Sequence, residues 1–336
     1  MPAWVRSGLL LSVALPLVAC TGSQSALDPQ GLQSEQIRHT FMMFLAVSGI
    51  VWACVTVVLG IGLLPRKRIS DEPLELRRPF ETRAGRMILG LGAATALIVL
   101  VLSFVSYAGQ RTLFAKDPNA LTLRIVGHQW WWEVHYAADS PHNSFATANE
   151  IRIPVGKPVK VELESADVIH SFWVPSLTGK MDLITGQTNE IQFTAKNPGI
   201  YRGQCAEFCG LQHAHMAFAA IALRPEEFER WREHENQGAT SPTDTLAKQG
   251  EQLFRGRGCA LCHTIRGTLA GGQLGPDLTH VGSRTTLAAG TLPQTPAALG
   301  AWIADPQHIK PGNLMPQMPL QSGELIAIIR YLEQLE

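Results

Sequence analysis

Two thiols, an imidazole and a thioether fall within twelve residues of one another at Cys205, Cys209, His213 and Met216. Soft sulfur donors with imidazole suit copper or zinc. A single blue-copper ion uses one cysteine, two histidines and a weak axial methionine, so the second cysteine asks for a reason. Two thiolates shared by two coppers would use both, and each ion would then want its own imidazole. His170, in Val168-Ile-His170-Ser-Phe-Trp-Val-Pro175, is the best second histidine. A Cys2His2 zinc site, or a disulfide between Cys205 and Cys209, satisfies the same spacing. His215 points elsewhere by its spacing, and His128 and His135 are lone histidines among strand residues. A second constellation is Cys259-Ala-Leu-Cys262-His263, the C-x-x-C-H pattern of covalent haem attachment. Its distal ligand should be a weak, soft donor. Met315 and Met318 compete for that place, with His280 and His308 behind them. A redox C-x-x-C would sit near a βαβ pattern, which this region lacks.

The elements that must hold these groups are legible in outline. The chain has 336 residues, 46% hydrophobic and only 17% charged, with 28 basic residues balancing 28 acidic ones. That balance excludes the basic excess of a nucleic-acid binder, and the apolar content excludes a disordered chain. Residues 1–19 read as an export signal, with Arg6 ahead of an apolar run from Gly8 to Ala19. Leu17-Val18-Ala19-Cys20 resembles the lipobox of bacterial lipoproteins, which implies lipidation at Cys20. Residues 20–119 read as a transmembrane hairpin, with uncharged spans at about 41–64 and 87–109. Each span exceeds the roughly 20 residues that cross a hydrocarbon core. Cys54, inside the first span, reads as a packing residue. The connecting loop carries Arg66, Lys67, Arg68, Arg77, Arg78, Arg83 and Arg86. The positive-inside rule puts that loop in the cytoplasm and everything beyond residue 110 outside. Short alternating runs punctuated by Pro and Gly predict an all-β sandwich or barrel over 120–232. Residues 233–245 are polar and read as a linker. Residues 246–336 begin and end with helical patterns, the last with Ser322 as N-cap.

Three segments then resemble one family. His170-Ser-Phe-Trp-Val-Pro, Gly203-Gln-Cys205-Ala-Glu-Phe-Cys209-Gly-x-x-His213-x-x-Met216 and Gly127-His-Gln-Trp130-Trp-Trp are similar to subunit II of the haem–copper cytochrome c oxidases. The membrane hairpin matches that family's topology. The resemblance implies a cupredoxin fold and a binuclear CuA centre. Its ligands would be His170, Cys205, Cys209, His213, Met216 and the backbone carbonyl of Glu207. The Glu207 side chain would reach toward a Mg²⁺ shared with subunit I, and Trp130 would be the aromatic that receives electrons. Asp182 is kept, but Thr185 and Gln187 stand where the family commonly has Pro and Arg.

Residues 246–336 resemble class I cytochrome c. The resemblance implies that Cys259 and Cys262 anchor haem c and that His263 is its proximal ligand. Met315, at the family's Pro-Gly-x-x-Met position, would be the distal one. Pro276 would buttress the haem edge, with Phe254 and Tyr331 at the crossing of the first and last helices. The whole chain resembles the caa₃-type oxidases, in which such a fusion is the electron-transfer subunit of an oxidoreductase and translocase. The implied donor is a cytochrome c or a bc-type complex, and the path runs through haem c and CuA. The implied partners are subunit III and subunit I, whose haem a and CuB reduce O2 to water with proton translocation. The implied place is the bacterial plasma membrane, with both metal domains on the periplasmic side and no nucleic-acid partner. A CuA-containing nitric oxide reductase subunit, or an exported copper-binding assembly lipoprotein, would share parts of the pattern.

Overall fold

The computed structural model describes residues 21–64, 78–137 and 144–336. Residues 1–20, with the expected export signal and Cys20, lie outside them, as does most of the basic loop. Among the described residues two helices come first, α1 (Leu32–Leu63) and α2 (Arg78–Leu113). Both are long and apolar enough to cross a membrane. α1 outruns its uncharged span at the N-terminal end and α2 at both ends, because Glu35 and Arg38 in α1, and Glu81, Arg83, Arg86 and Arg111 in α2, continue the helical turns beyond the apolar stretch.

Strand alternation builds the next domain. In β5 (Val159–Ser165), Val159, Val161 and Leu163 are fully buried while Lys160 and Glu162 face out. In β1 (Leu121–His128), Leu123 and Ile125 do the same. Period-two alternation of this kind gives each sheet one apolar face, and two such faces pack as a sandwich. The first sheet also contains β2 (Trp131–Tyr136), β3 (Phe145–Ala148) and β8 (Asn189–Phe193), in the order β3-β2-β1-β5-β8. The second contains β4 (Glu150–Pro154), β6 (His170–Trp173), β7 (Met181–Leu183), β9 (Gly199–Cys205) and β10 (Ala217–Leu223), in the order β4-β10-β9-β6-β7. Trp132, Phe172 and Phe218 interlock between the sheets, with ring centroids 4.9–6.3 Å apart.

Residues ahead of α1 join this sandwich. Gln30 N donates to Ser176 O, Lys196 N to Gln30 O, and Gly31 bridges to Ala195. A Cβ at Gly31 would stand 2.2 Å from the Leu177 carbonyl oxygen, so only glycine permits that approach. Helix α3 (Pro225–Glu235) closes the sandwich and runs three residues into the stretch expected as linker. It persists because Phe228 and Trp231 pack on the core, and Trp231 Nε1 donates to Glu235 Oε2 at 3.1 Å.

The C-terminal domain is framed by α4 (Thr245–Gly256) and α7 (Ser322–Glu333). They cross where Phe254 meets Tyr331 edge to face at 6.0 Å. Gly250 makes the crossing close, since a Cβ there would stand 2.0 Å from the Ala327 carbonyl oxygen. The N-cap of α7 is Gln321 rather than Ser322. Glu324 completes a capping box with it, so Ser322 is the first helical residue. Helices α5 (Pro296–Ala304) and α6 (Pro306–Ile309) complete this domain's helical frame among the described residues.

Candidate metal centres

Strands β6 and β9 are neighbours, with Phe172 opposite Cys205. That register carries His170 to the end of β9. His170 is fully buried, with Nδ1 4.0 Å from Cys205 Sγ and Nε2 2.7 Å from Asp167 Oδ1. A carboxylate that takes the Nε2 proton leaves Nδ1 as the ring's lone pair, aimed at the sulfur. Asp167 is itself fixed, accepting from Gln129 N and Val168 N at 2.7 Å each. Thr185, in place of the family's proline, donates its hydroxyl to the Asp167 carbonyl at 2.6 Å.

Past Cys205 the chain turns back before β10, and the turn folds its donors inward. Cys205 Sγ lies 3.2 Å from Glu207 O and 3.7 Å from Cys209 Sγ. Cys209 Sγ lies 3.7 Å from His213 Nδ1 and 3.8 Å from Met216 Sδ. The donor atoms of His170, Cys205 and Cys209 all fall within 4.8 Å of one another. The hydrogen bond from Cys209, helped by His170 against the cost of burial, holds the Cys205 thiol far below the usual range, at about 3. Cys209 is pushed up by Cys205 and by burial. The pair gives up its first proton readily and keeps the second, as two adjoining like charges require. Burial opposes protonation of His170, but its bonds to Asp167 and Cys205 outweigh that and raise its pKa. Two thiols, two imidazoles, a thioether and a carbonyl, nearly all buried, form a donor set that fits soft transition-metal ions. The Glu207 carboxylate is half-exposed, 3.9 Å from Lys180 Nζ. Trp130 is 7% exposed, and its Nε1 donates to the Cys209 carbonyl at 2.9 Å.

His215 hydrogen-bonds Gln212 Oε1 at 3.0 Å through Nδ1. His128 and His135 both bond Glu133, at 3.1 and 3.2 Å. Asp167 is the functional neighbour that sequence reasoning missed. Its signal was an acidic residue three positions before His170.

In the C-terminal domain, Cys259 and Cys262 lie in a short 3₁₀ turn just after α4 and are free and partly exposed. His263 Nδ1 donates to Pro276 O at 2.8 Å, leaving Nε2 as the available donor. Burial lowers the His263 pKa, which keeps that nitrogen neutral. A Cβ at Gly275 would stand 2.7 Å from the His263 ring, so glycine lets the loop pack on the imidazole. Leu261, Leu269, Leu274 and Leu314 are each more than 75% exposed. Exposed apolar side chains in a domain that holds two thiols and an oriented imidazole fit a covalently held porphyrin. Arg284 adds a buried guanidinium whose Nε has no partner among the described residues, an unspent donor for an anionic group. Met315 is partly exposed and braced, its N–H donating to Asn313 Oδ1 at 2.8 Å and its carbonyl accepting from Gln307 at 2.9 Å. Met318, also partly exposed, has its carbonyl in a turn with Leu320 N. Both nitrogens of His280 are engaged by the carbonyls of Glu336 and Gln237, and His308 is exposed on α6.

Comparison with known proteins finds relatives for both domains. Residues 138–223 match the family described as cytochrome c oxidase subunit II, periplasmic domain, and residues 247–336 match the cytochrome c family. Cytochrome c oxidase subunit 2 of Alkalihalophilus pseudofirmus is 35% identical over 350 residues, covering 100% of this chain and 99% of the relative. Its counterpart in Bacillus subtilis is 33% identical over 259 residues, 71% of each chain. The solved periplasmic domain of subunit II of cytochrome oxidase of Bradyrhizobium japonicum is 35% identical. It covers 36% of this chain and 96% of that one, with a TM-score of 0.32.

Proposed function

This chain belongs to the cytochrome c oxidase subunit II family, with a cytochrome c domain fused at its C-terminal end, and we propose that it is the electron-transfer subunit of an oxygen-reducing haem–copper oxidase. The observation that carries this reading is the meeting of His170, Cys205 and Cys209 within 4.8 Å, with His213, Met216 and the Glu207 carbonyl in contact range of the thiols. These residues would hold the CuA pair. Cys259 and Cys262 would anchor haem c, with His263 and Met315 on its two faces. When bound, the two groups supply one-electron carriers between a cytochrome c or bc-type donor and subunit I, where oxygen is reduced to water and protons are translocated.

The chain's own residues position and insulate. Asp167 fixes the His170 tautomer, and β9 with the turn that follows it holds the thiols at a set separation, so little has to move when charge changes. Trp130 would be where electrons reach the copper loop, through its hydrogen bond to the Cys209 carbonyl. Residues 1–19 would act as the export signal, Cys20 as a lipid attachment point and α1 and α2 as the anchor in a bacterial plasma membrane. Both metal domains would then face the periplasm. Oxidase purified from membranes should contain two coppers in this subunit, a mixed-valence electron paramagnetic resonance signal split equally by both nuclei, and a reducible c-type haem. Cys209→Ser should abolish the split signal and leave the haem spectrum unchanged. A single colourless divalent ion in the sandwich of the parent would overturn the reading.

A further inference from the structure

Lys310 is 3% exposed and begins the Lys310-Pro-Gly segment that leads to Met315. Its ammonium donates to three backbone carbonyls: Trp130 at 2.8 Å, His215 at 2.8 Å and Ala288 at 3.0 Å. Three donors meet three acceptors, the full capacity of an ammonium group. Two acceptors belong to the sandwich, one in the turn that carries Trp130 and one in the copper loop just before Met216. The third belongs to the cytochrome domain. The surrounding contacts follow the same line. Gln212 Nε2 donates to Pro311 O at 2.9 Å, and Ala217 N to Ala289 O at 3.0 Å. A Cβ at Gly312 would stand 3.3 Å from Leu211 and 3.5 Å from the Trp130 ring. Segments 288–290 and 310–312 of the cytochrome domain therefore roof Trp130 and the copper loop.

A buried ammonium whose hydrogen-bond partners are all neutral carbonyls is an expensive way to join two domains, since burial, only partly offset by the nearby Cys209 sulfur, pulls its pKa down to about 7. Apolar packing would hold them at lower cost. Three diverging hydrogen bonds add what packing lacks, a single orientation. They are also not the only tether. Thr285 donates its N–H and hydroxyl to Glu150 Oε1 at 2.6 Å each, and Arg266 donates to Glu235 O at 2.7 Å. Loss of the Lys310 contact would free the segment next to Trp130 while the domains stay joined elsewhere.

We propose that Lys310 is a positioning residue for electron transfer between the two metal domains, fixing the segment that leads to Met315 against Trp130 and closing Trp130 to an external cytochrome. The proposal rests on the reading that the domains carry haem c and a copper pair. A soluble donor would then deliver only to the attached haem.

The test uses the intact oxidase with copper and haem loaded. In the parent, light-triggered reduction of haem c should be followed by fast equilibration with the copper pair. Lys310→Met should leave the copper and haem spectra unchanged and slow that equilibration about tenfold, because the docked fraction falls. It should also open a phase, absent in the parent, in which added reduced soluble cytochrome c reduces copper ahead of haem c. A merely structural role would not create that bypass. Lys310→Arg gives the same readouts if the methionine variant fails to assemble, since a planar guanidinium cannot reach three diverging carbonyls in the same way. Equilibration within about twofold of the parent, with no bypass, would overturn the positioning role. Absence of haem-to-copper equilibration in the parent itself would overturn the functional reading, and this inference with it.

Discussion

In the copper loop each thiol lies within 4 Å of another donor, and His170, Cys205, Cys209 and Met216 are all at most 5% exposed. In the cytochrome domain the two thiols are partly exposed, and the neighbouring leucines 261, 269, 274 and 314 carry their side chains on the outside. The difference lies in what each domain packs against. The sandwich closes on itself around Trp132, Phe172 and Phe218; His170 and Cys205 sit on strands that are already paired, and the other donors lie in the turn between β9 and β10. The helical domain has a smaller apolar cluster around Phe254, Ile328 and Tyr331, and part of its apolar surface faces away from it. A metal ion adds little to a core of the first kind, whereas a porphyrin supplies part of a core of the second.

The largest expected effect tests that contrast. Cys259→Ser with Cys262→Ser removes the covalent anchor. Each leucine that the porphyrin would cover contributes about 2 kcal/mol, a sizeable part of the about 5–15 kcal/mol that a domain of this size has in all. Limited proteolysis should then trim residues 246–336 back to the sandwich, while the sandwich keeps its own melting transition. Equal protease resistance of the double variant and the parent would show that the helical domain is self-sufficient and that the contrast is false.

A smaller effect is expected on the copper side, where the fold is settled and only donor orientation is at stake. Asp167→Asn keeps the size of the side chain but replaces the carboxylate that fixes His170 Nε2. Second-sphere partners of this kind typically change metal affinity by about 10- to 100-fold. Copper titration should show a loss in that range with the melting temperature of the metal-free sandwich nearly unchanged. A large drop in melting temperature without an affinity change would make Asp167 a fold residue instead.

The two regions also differed in how far they could be read from the chain. The copper loop was legible because Cys205, Cys209, His213 and Met216 are local, and one turn suffices to gather them. His170 is 35 residues before Cys205 and reaches it only through the β6–β9 pairing, so it was picked out by the need for a second imidazole and by its Val-Ile-His-Ser-Phe-Trp-Val-Pro segment, not by spacing. The haem anchor was legible as a pentapeptide, and α4 and α7 as helical patterns. The end of α3 was not, because Glu235 is polar and its place in the helix comes from Trp231 packing on the sandwich. Lys310 was invisible for a different reason. Its partners are backbone carbonyls, one of them 180 residues away, and no side-chain type marks a carbonyl as an acceptor.

The smallest effect separates the two domains by charge. Glu133 on β2 sits between His128 and His135, accepting from the Nε2 atoms at 3.1 and 3.2 Å. Burial raises its pKa, but the bonds to His128 and His135 outweigh this and bring it down to about 2, against 4.5 for an ordinary glutamate. A carboxylate with a depressed folded-state pKa contributes stability that is complete above the unfolded value and lost as pH falls through the folded one. The sandwich should therefore lose stability between pH 4.5 and about 2. Glu133 is partly exposed, so solvent screening brings its contribution to on the order of 1 kcal/mol. Glu133→Gln should lower the sandwich melting transition at pH 5 and converge on the parent near pH 2. The helical domain, followed by its haem absorption, should show the same acid profile in both proteins. An unchanged acid limb for the sandwich in Glu133→Gln would remove this carboxylate from the account, and a shifted haem profile would mean that the two domains do not unfold as separate units.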